Sequence, residues 1–260
     1  MIDVLPADLL PAINSELRKT ATLRWPRLLT ALVVAIAVVT SSVTAILSGP
    51  ADPEGEPATG AATIGLYLAL LAVVLAVGGY GAAAAGSEFR HDTMAITAMF
   101  TPHRDRLVGA KMLVTAAVAL GAAVLVELVA LGCLFAFGNG KFEITAQLFA
   151  VLGGGLVAAV CWSLIGTGLG LWLRSPGTGV ALMLGWLLVI EPLIWLVSTG
   201  LGIAGVATLL PGSSTVSTLM VGSFAGADLL APTPAAIVVL LLWTIGIGGL
   251  GWWSVRSRDL

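Results

Sequence analysis

Charge is scarce in this chain. Only 10% of its 260 residues are Asp, Glu, Lys or Arg, while 58% are hydrophobic and the mean hydropathy is +1.04. A soluble domain carries roughly 25% charged residues, so that class is excluded. Histidine is nearly absent, with only His91 and His103, both in one polar loop. No Ser–His dyad can therefore form within an apolar segment. There is also no His-Glu-x-x-His and no pair of intramembrane aspartates, which removes the intramembrane hydrolases and metalloproteases. The only asparagines, Asn14 and Asn139, cannot supply the two Asn-Pro-Ala elements of an aquaporin-like channel. No Gly-x-x-x-x-Gly-Lys-[Ser/Thr] occurs, so the chain has no phosphate loop of its own. Its two cysteines, Cys133 and Cys161, fall at different depths of different apolar runs. A disulfide, which needs Cα atoms within roughly 7 Å, is not expected between them. The segment Met1–Asp8 has no basic residue, and no cleaved signal peptide is expected.

What the chain has is length of apolar run. Six runs, at 28–48, 61–85, 107–137, 146–173, 178–199 and 233–255, each suffice for the roughly 20 helical residues that cross a hydrocarbon core. The fold class expected is an all-α membrane protein with six transmembrane helices in one domain spanning 1–260. Eleven of the twelve basic residues then share one side: Arg18, Lys19, Arg24, Arg27, Arg90, Arg104, Arg106, Lys111, Arg174, Arg256 and Arg258. Only Lys141 lies opposite. The positive-inside rule puts both termini in the cytoplasm. The basic residues are spread along membrane flanks rather than clustered on a soluble face, so no nucleic-acid partner is expected. The Ala-, Gly- and Val-rich composition suggests a GC-rich bacterial genome, and hence the bacterial cytoplasmic membrane.

The segments between runs are uneven in content. Residues 9–25 place Leu9, Ile13 and Leu17 on one helical face, with Glu16, Arg18 and Lys19 elsewhere; this predicts an amphipathic helix on the cytoplasmic leaflet, in contact with membrane lipid. The first external loop, 49–60, holds three prolines and three acids and reads as a solvated turn. Small residues in Gly78-Gly79-Tyr80-Gly81 and at Gly166, Gly168 and Gly170 predict close helix approach. The first of these superficially resembles a potassium filter but continues a helix rather than lining a re-entrant loop. Residues 200–232 are apolar yet broken by Pro211-Gly212, which predicts an external hairpin of one or two short re-entrant helices. A seventh span at 199–224 is disfavoured because it would move Arg256 and Arg258 to the other side.

The cytoplasmic loop 86–106 is the most informative polar stretch. Asp92 or Thr93 can cap a short helix that Pro102 ends, and Met94, Ile96, Met99 and Phe100 make that helix amphipathic. Its apolar face suits either a docked protein or the lipid surface. Glu88-Phe89-Arg90-His91-Asp92-Thr93, then Pro102-x-Arg104-x-Arg106 and Lys111, resembles the permease subunits of ABC-2-type exporters. Asp92 stands where that family commonly has Gly. The resemblance extends to the amphipathic leading helix, six spans, the apolar hairpin before span 6 and the basic tail. It implies a non-catalytic permease that pairs with itself or a sister permease. It also implies a separate ABC ATPase subunit that binds ATP and Mg, with no cofactor or metal in this chain. The coupling element would comprise Glu88, Phe89, Arg90, His91, Asp92, Thr93, Met94, Ile96, Met99, Phe100, Arg104 and Arg106.

Two carboxylates sit deep in the runs, Glu127 in the third and Glu191 in the fifth. Each costs about 2.5–3.5 kcal/mol on insertion scales and needs a partner, a water path or a proton. Glu191 precedes Pro192, which is expected to kink its helix. The resemblance places span 5 near the translocation route, making Glu191, Pro192 and Glu127 candidates for the substrate path; the plainer reading is a carboxyl hydrogen-bonded between helices. Trp162, Trp172, Trp186 and Trp195 read as packing or belt residues. Few polar groups in the spans point to an amphipathic drug- or lipid-like substrate. A proton-coupled secondary transporter using Glu127 or Glu191 is the rival, although no internal repeat is visible.

Overall fold

A computed structural model describes residues 9–50, 57, 59–90, 104–223 and 228–258. Among these residues the regular structure is helical throughout, with no strand. The helices are α1 (Leu9–Thr22), α2 (Arg24–Leu47), α3 (Ala61–Arg90, opening with a 3₁₀ turn), α4 (Arg104–Phe137), α5 (Ala146–Leu173), α6 (Pro176–Gly200), α7 (Pro211–Leu219) and α8 (Thr233–Ser257). Six of them, α2 to α6 and α8, are long and apolar enough to cross a membrane. The chain is thus an all-α, multi-pass membrane protein. The helices extend the apolar runs mainly at the end where the basic residues gather: α2 starts at Arg24, α3 runs on to Arg90, and α4 starts at Arg104. Long Lys and Arg side chains let a helix project past the hydrocarbon while their heads reach polar partners.

α3 and α5 form the centre. Of their most apolar windows 61% and 56% is buried, against 11% in α6, which leaves α6 at the periphery with an exposed apolar face. In a bilayer, lipid tails are as apolar as Leu, so helices associate through close packing rather than through hydrophobic burial. Of the glycines expected to do this, Gly78, Gly81, Gly166, Gly168 and Gly170 do so and Gly79 does not. A Cβ on Gly166 would strike the Gly78 carbonyl oxygen, one on Gly81 the Ser163 carbonyl, and one on Gly170 the Ala82 carbonyl. α5 meets α8 in the same way, through Gly168 and Gly251. Cys133 and Cys161 are both free thiols.

The expected kink in span 5 takes a specific form. Pro192 has no N–H to return to the preceding turn, and the residues before it, Trp186–Ile190, widen into a π-helical segment. Beyond Gly200 the hairpin folds as a 3₁₀ segment, Ala204–Leu209, followed by α7. Nine residues are too few to span a membrane. Yet eight of the nine are buried, among them Ser213, Ser214, Thr215, Ser217 and Thr218. Ser213 Oγ has no hydrogen-bond partner among the described residues, while three of these hydroxyls are satisfied locally, Thr215, Ser217 and Thr218 donating to the carbonyls four residues back at 2.7, 3.0 and 2.7 Å. That is how a Ser/Thr-rich helix is tolerated against the apolar flanks of α5 and α8.

The packing argument separates two neighbouring glycines. Gly166→Ala forces backbone displacement between α3 and α5 and is expected to destabilise the protein by about 1–3 kcal/mol. Gly79→Ala, where a Cβ meets nothing within 4 Å, is expected to be neutral or stabilising. Thermal unfolding of both variants in one detergent tests this, and equal midpoints would contradict it.

Candidate functional site

The basic end of the bundle is built around four charges. Glu16 and Lys19 come from α1, Glu88 from the last turn of α3, and Lys111 from the second turn of α4. Lys111 Nζ donates to Glu16 Oε2 at 2.7 Å and to Glu88 Oε1 at 2.9 Å. Lys19 Nζ donates to Glu16 Oε1 at 2.6 Å and to Glu88 Oε1 at 2.7 Å. Each cation bridges both carboxylates, so the quartet is a closed ring with no net charge. Lys111 is only 2% exposed, Glu88 6% and Glu16 7%. Ions this buried persist only when paired and hydrogen-bonded, because the desolvation of each costs several kcal/mol. Burial alone would push the Glu16 carboxyl up, but the Lys111 charge, with hydrogen bonds from Lys111 and Lys19, holds it below the ordinary carboxylate range. For Lys19 burial pulls down, and the hydrogen bonds and charges of Glu16 and Glu88 overcome it and raise the ammonium above its ordinary value.

Further contacts tie the same two helix ends to the rest of the bundle. Glu88 and Lys111 flank the segment 91–103: α3 leads into it and α4 leaves it. The Arg174 guanidinium, between α5 and α6, lies 5.1 Å from the centre of the Phe89 ring, a cation–π distance. On the α4 side, Arg104 donates to the carbonyls of Val255 and Arg258 at 3.0 and 2.9 Å, closing the C-terminal end of α8 with a cation as the helix dipole favours. Next to it, Asp105 accepts from the Trp252 indole at 2.8 Å. Tyr80 shares a 2.8 Å hydrogen bond with Thr20 and packs 5.3 Å from Trp25, holding α1 and the start of α2 to α3. Both stems of the 91–103 segment are therefore bonded to elements from every other part of the bundle's basic end. Lys141, alone at the opposite end, caps α2 by donating to the Ala45 and Ile46 carbonyls at 2.9 and 3.0 Å.

Of the candidate coupling residues, Glu88, Phe89, Arg90, Arg104 and Arg106 lie on these stems. His91, Asp92, Thr93, Met94, Ile96, Met99 and Phe100, and the short helix expected there, lie outside the described residues. The intramembrane carboxylates are in quite different settings. Glu191 is 1% exposed and accepts from the backbone N–H of Gly212 at 2.9 Å and of Ser213 at 2.8 Å. A carboxylate on the first N–H groups of a helix satisfies orphan donors and complements the dipole, so α6 caps α7 and pins the hairpin. Gly212 is required there, since a Cβ would meet the Glu191 carboxylate at 2.6 Å. Glu127 is 6% exposed, lies beside Gly155, and has one oxygen, Oε1, without a hydrogen-bond partner among the described residues. It does not join Glu191 in a common site.

Glu16 and Lys19 are the functional residues that sequence reasoning missed. α1 is helical as expected, but the face that turns inward carries Ala12 and Glu16, while Leu17 of the expected apolar face is 43% exposed. The available signal was Lys111 itself, a cation inside an apolar run that needed an acid from another element.

Removing one member tests the quartet. Lys111→Met leaves Glu16 and Glu88 buried with only Lys19, and is expected to lower stability by about 3–5 kcal/mol, with Lys111→Arg much milder. The ring also gives a signed pH dependence. The Glu16 contribution is complete above the ordinary carboxylate pKa and is lost as pH falls through its lowered folded value; that of Lys19 is complete below the ordinary lysine range and is lost as pH rises through its raised value. The unfolding midpoint is expected to drop at both extremes, with a shallower acid limb in Glu16→Gln; superimposable acid limbs would contradict this. At the other end, Glu191→Gln is expected to speed hydrogen exchange across Pro211–Leu219 by about tenfold or more through loss of a charge-assisted cap. Unchanged protection there would refute the capping role. Compared with known proteins, the chain matches no protein-family model and no curated protein.

Proposed function

We propose that the chain is the membrane subunit of an ATP-driven exporter of the ABC-2 type. In this reading it forms the translocation path for an amphipathic drug- or lipid-like substrate and works as a pair with itself or a sister permease. The observation that carries the reading is the anchoring of both stems of the 91–103 segment, through the buried quartet, Arg174 on Phe89 and Arg104 on α8. A partner pressing on that segment moves α1, α3, α4 and α8 together instead of bending one loop. The sequence 88–106, which resembles the coupling element of such permeases, occupies the same place. ATP and Mg belong to the partner ATPase; this chain transmits motion. The basic end faces the cytoplasm of a bacterial cell, where nucleotide is available. Glu191 and Pro192 then act on the path by fixing the hairpin over its outer end, and the exposed apolar face of α6 is left for the second permease or lipid.

One observation favours a second reading. The unpartnered oxygen of Glu127 suits a proton-coupled carrier. Affinity purification of the tagged chain from native membranes separates the two. A P-loop ATPase recovered in one-to-one ratio, and lost on substitution across 94–100, is the expected result. No ATPase with an intact, folded chain would overturn the proposal, and transport driven by a pH gradient would then place Glu127 at its centre.

A further inference from the structure

Among the described residues, four tryptophans surround a half-open apolar cavity that the permease reading does not use. Trp162 and Trp172 of α5, Met183 and Trp186 of α6, Trp243 of α8 and Pro211 of α7 line a cavity of about 210 Å³. Four of the chain's eight tryptophans meet there. Every lining residue is apolar, and no Lys or Arg is among them. The indole N–H groups of two walls are turned to protein oxygens: Trp162 donates to Thr215 at 2.7 Å and Trp243 to the Leu209 carbonyl at 2.9 Å. Trp186 and Trp243 face each other with ring centres 6.0 Å apart. Glu191 stands beside one wall of the cavity without lining it. It neighbours Trp186 and holds Gly212 and Ser213, the two residues after the cavity-lining Pro211.

We infer that this cavity is a binding site for a compact lipophilic monocation, such as a quaternary ammonium group carried on an apolar body. An aliphatic chain gains nothing from indole that Leu would not give. A cation gains from the negative face of each ring, about 0.5–1 kcal/mol when exposed and about 2 when desolvated. With two donor edges already satisfied by protein, what remains for an occupant is largely ring carbon. The volume lies below the roughly 300–1,000 Å³ of drug-sized sites, so the cavity takes a small cation or the cationic head of a larger molecule. That the bound cation is also cargo rests on the permease reading; the binding itself does not.

The test uses the full chain in lipid nanodiscs, labelled with 5-fluorotryptophan, so that fluorine resonances report each tryptophan. Benzyltrimethylammonium is the cationic probe and neopentylbenzene its uncharged isostere. The expected result is saturable movement of the Trp162, Trp172, Trp186 and Trp243 resonances with the cation and not with the isostere. Trp186→Leu and Trp243→Leu should each weaken binding about thirtyfold, the scale of one desolvated cation–π contact, with Trp195→Leu as an unaffected control. Equal shifts from the neutral isostere would overturn the assignment of charge. Shifts confined to Trp25, Trp252 and Trp253, or none that saturate, would overturn the site. Binding requires no ATPase, so a chain that binds the cation but recruits no ATPase keeps the site and loses the permease reading.

Discussion

Two ammonium groups and two carboxylates, closed into a ring in which Lys111, Glu16 and Glu88 are buried and Lys19 is partly exposed, are the constraint on which the basic end of this protein depends. A buried ion pair is seldom a large net source of stability, because desolvation takes back most of what Coulomb attraction gives. Its effect lies in what it forbids. Once Lys111 and Glu88 are buried, α1 cannot leave without stranding a charge, and the ends of α3 and α4 cannot separate without doing the same. Apolar packing between helices in a bilayer permits sliding; a charge ring at their ends does not.

The two ends of the bundle use carboxylates for related purposes. At the basic end Glu88 and Glu16 hold ammonium groups and fix three helices to one another. At the opposite end Glu191 holds the N-terminus of α7 and fixes the hairpin to α6, whose backbone is already widened around Pro192. Between them the glycine contacts of α3, α5 and α8 keep the core tight, while α6 lies at the periphery and borders the tryptophan cavity. The bundle thus combines a tightly packed centre, a peripheral span widened at Trp186–Ile190 and a tethered hairpin.

Much of this was legible in the sequence. The apolar runs gave six spans because length and hydropathy alone decide them, and the small residues of 78–81 and 166–170 marked the tight helix contacts because only glycine permits such approach. The break at Pro211 correctly marked a short helix rather than a seventh span. Partnership between distant elements was not legible. Glu16 and Lys19 looked like the wet side of a surface helix, since nothing local distinguishes a solvated charge from one that will meet Lys111 ninety-five positions later. The hydrogen bonds that occupy Glu191, and the convergence of Trp162, Trp172, Trp186 and Trp243, likewise arise only from the crossing of separate helices.

The central claim is that the quartet makes the two stems of the 91–103 segment one mechanical unit. Under the proposed permease reading, its most direct test is to compare ATP hydrolysis with transport in liposomes, using the complex of this chain with the ATPase that the proposal assigns to it and either Glu88 or Glu88→Gln in complexes that assemble normally. The account expects hydrolysis to continue while transport falls by about tenfold or more, because an opened ring lets the loop move without its helices. Transport and hydrolysis both unchanged in a complex whose ring is broken would contradict it.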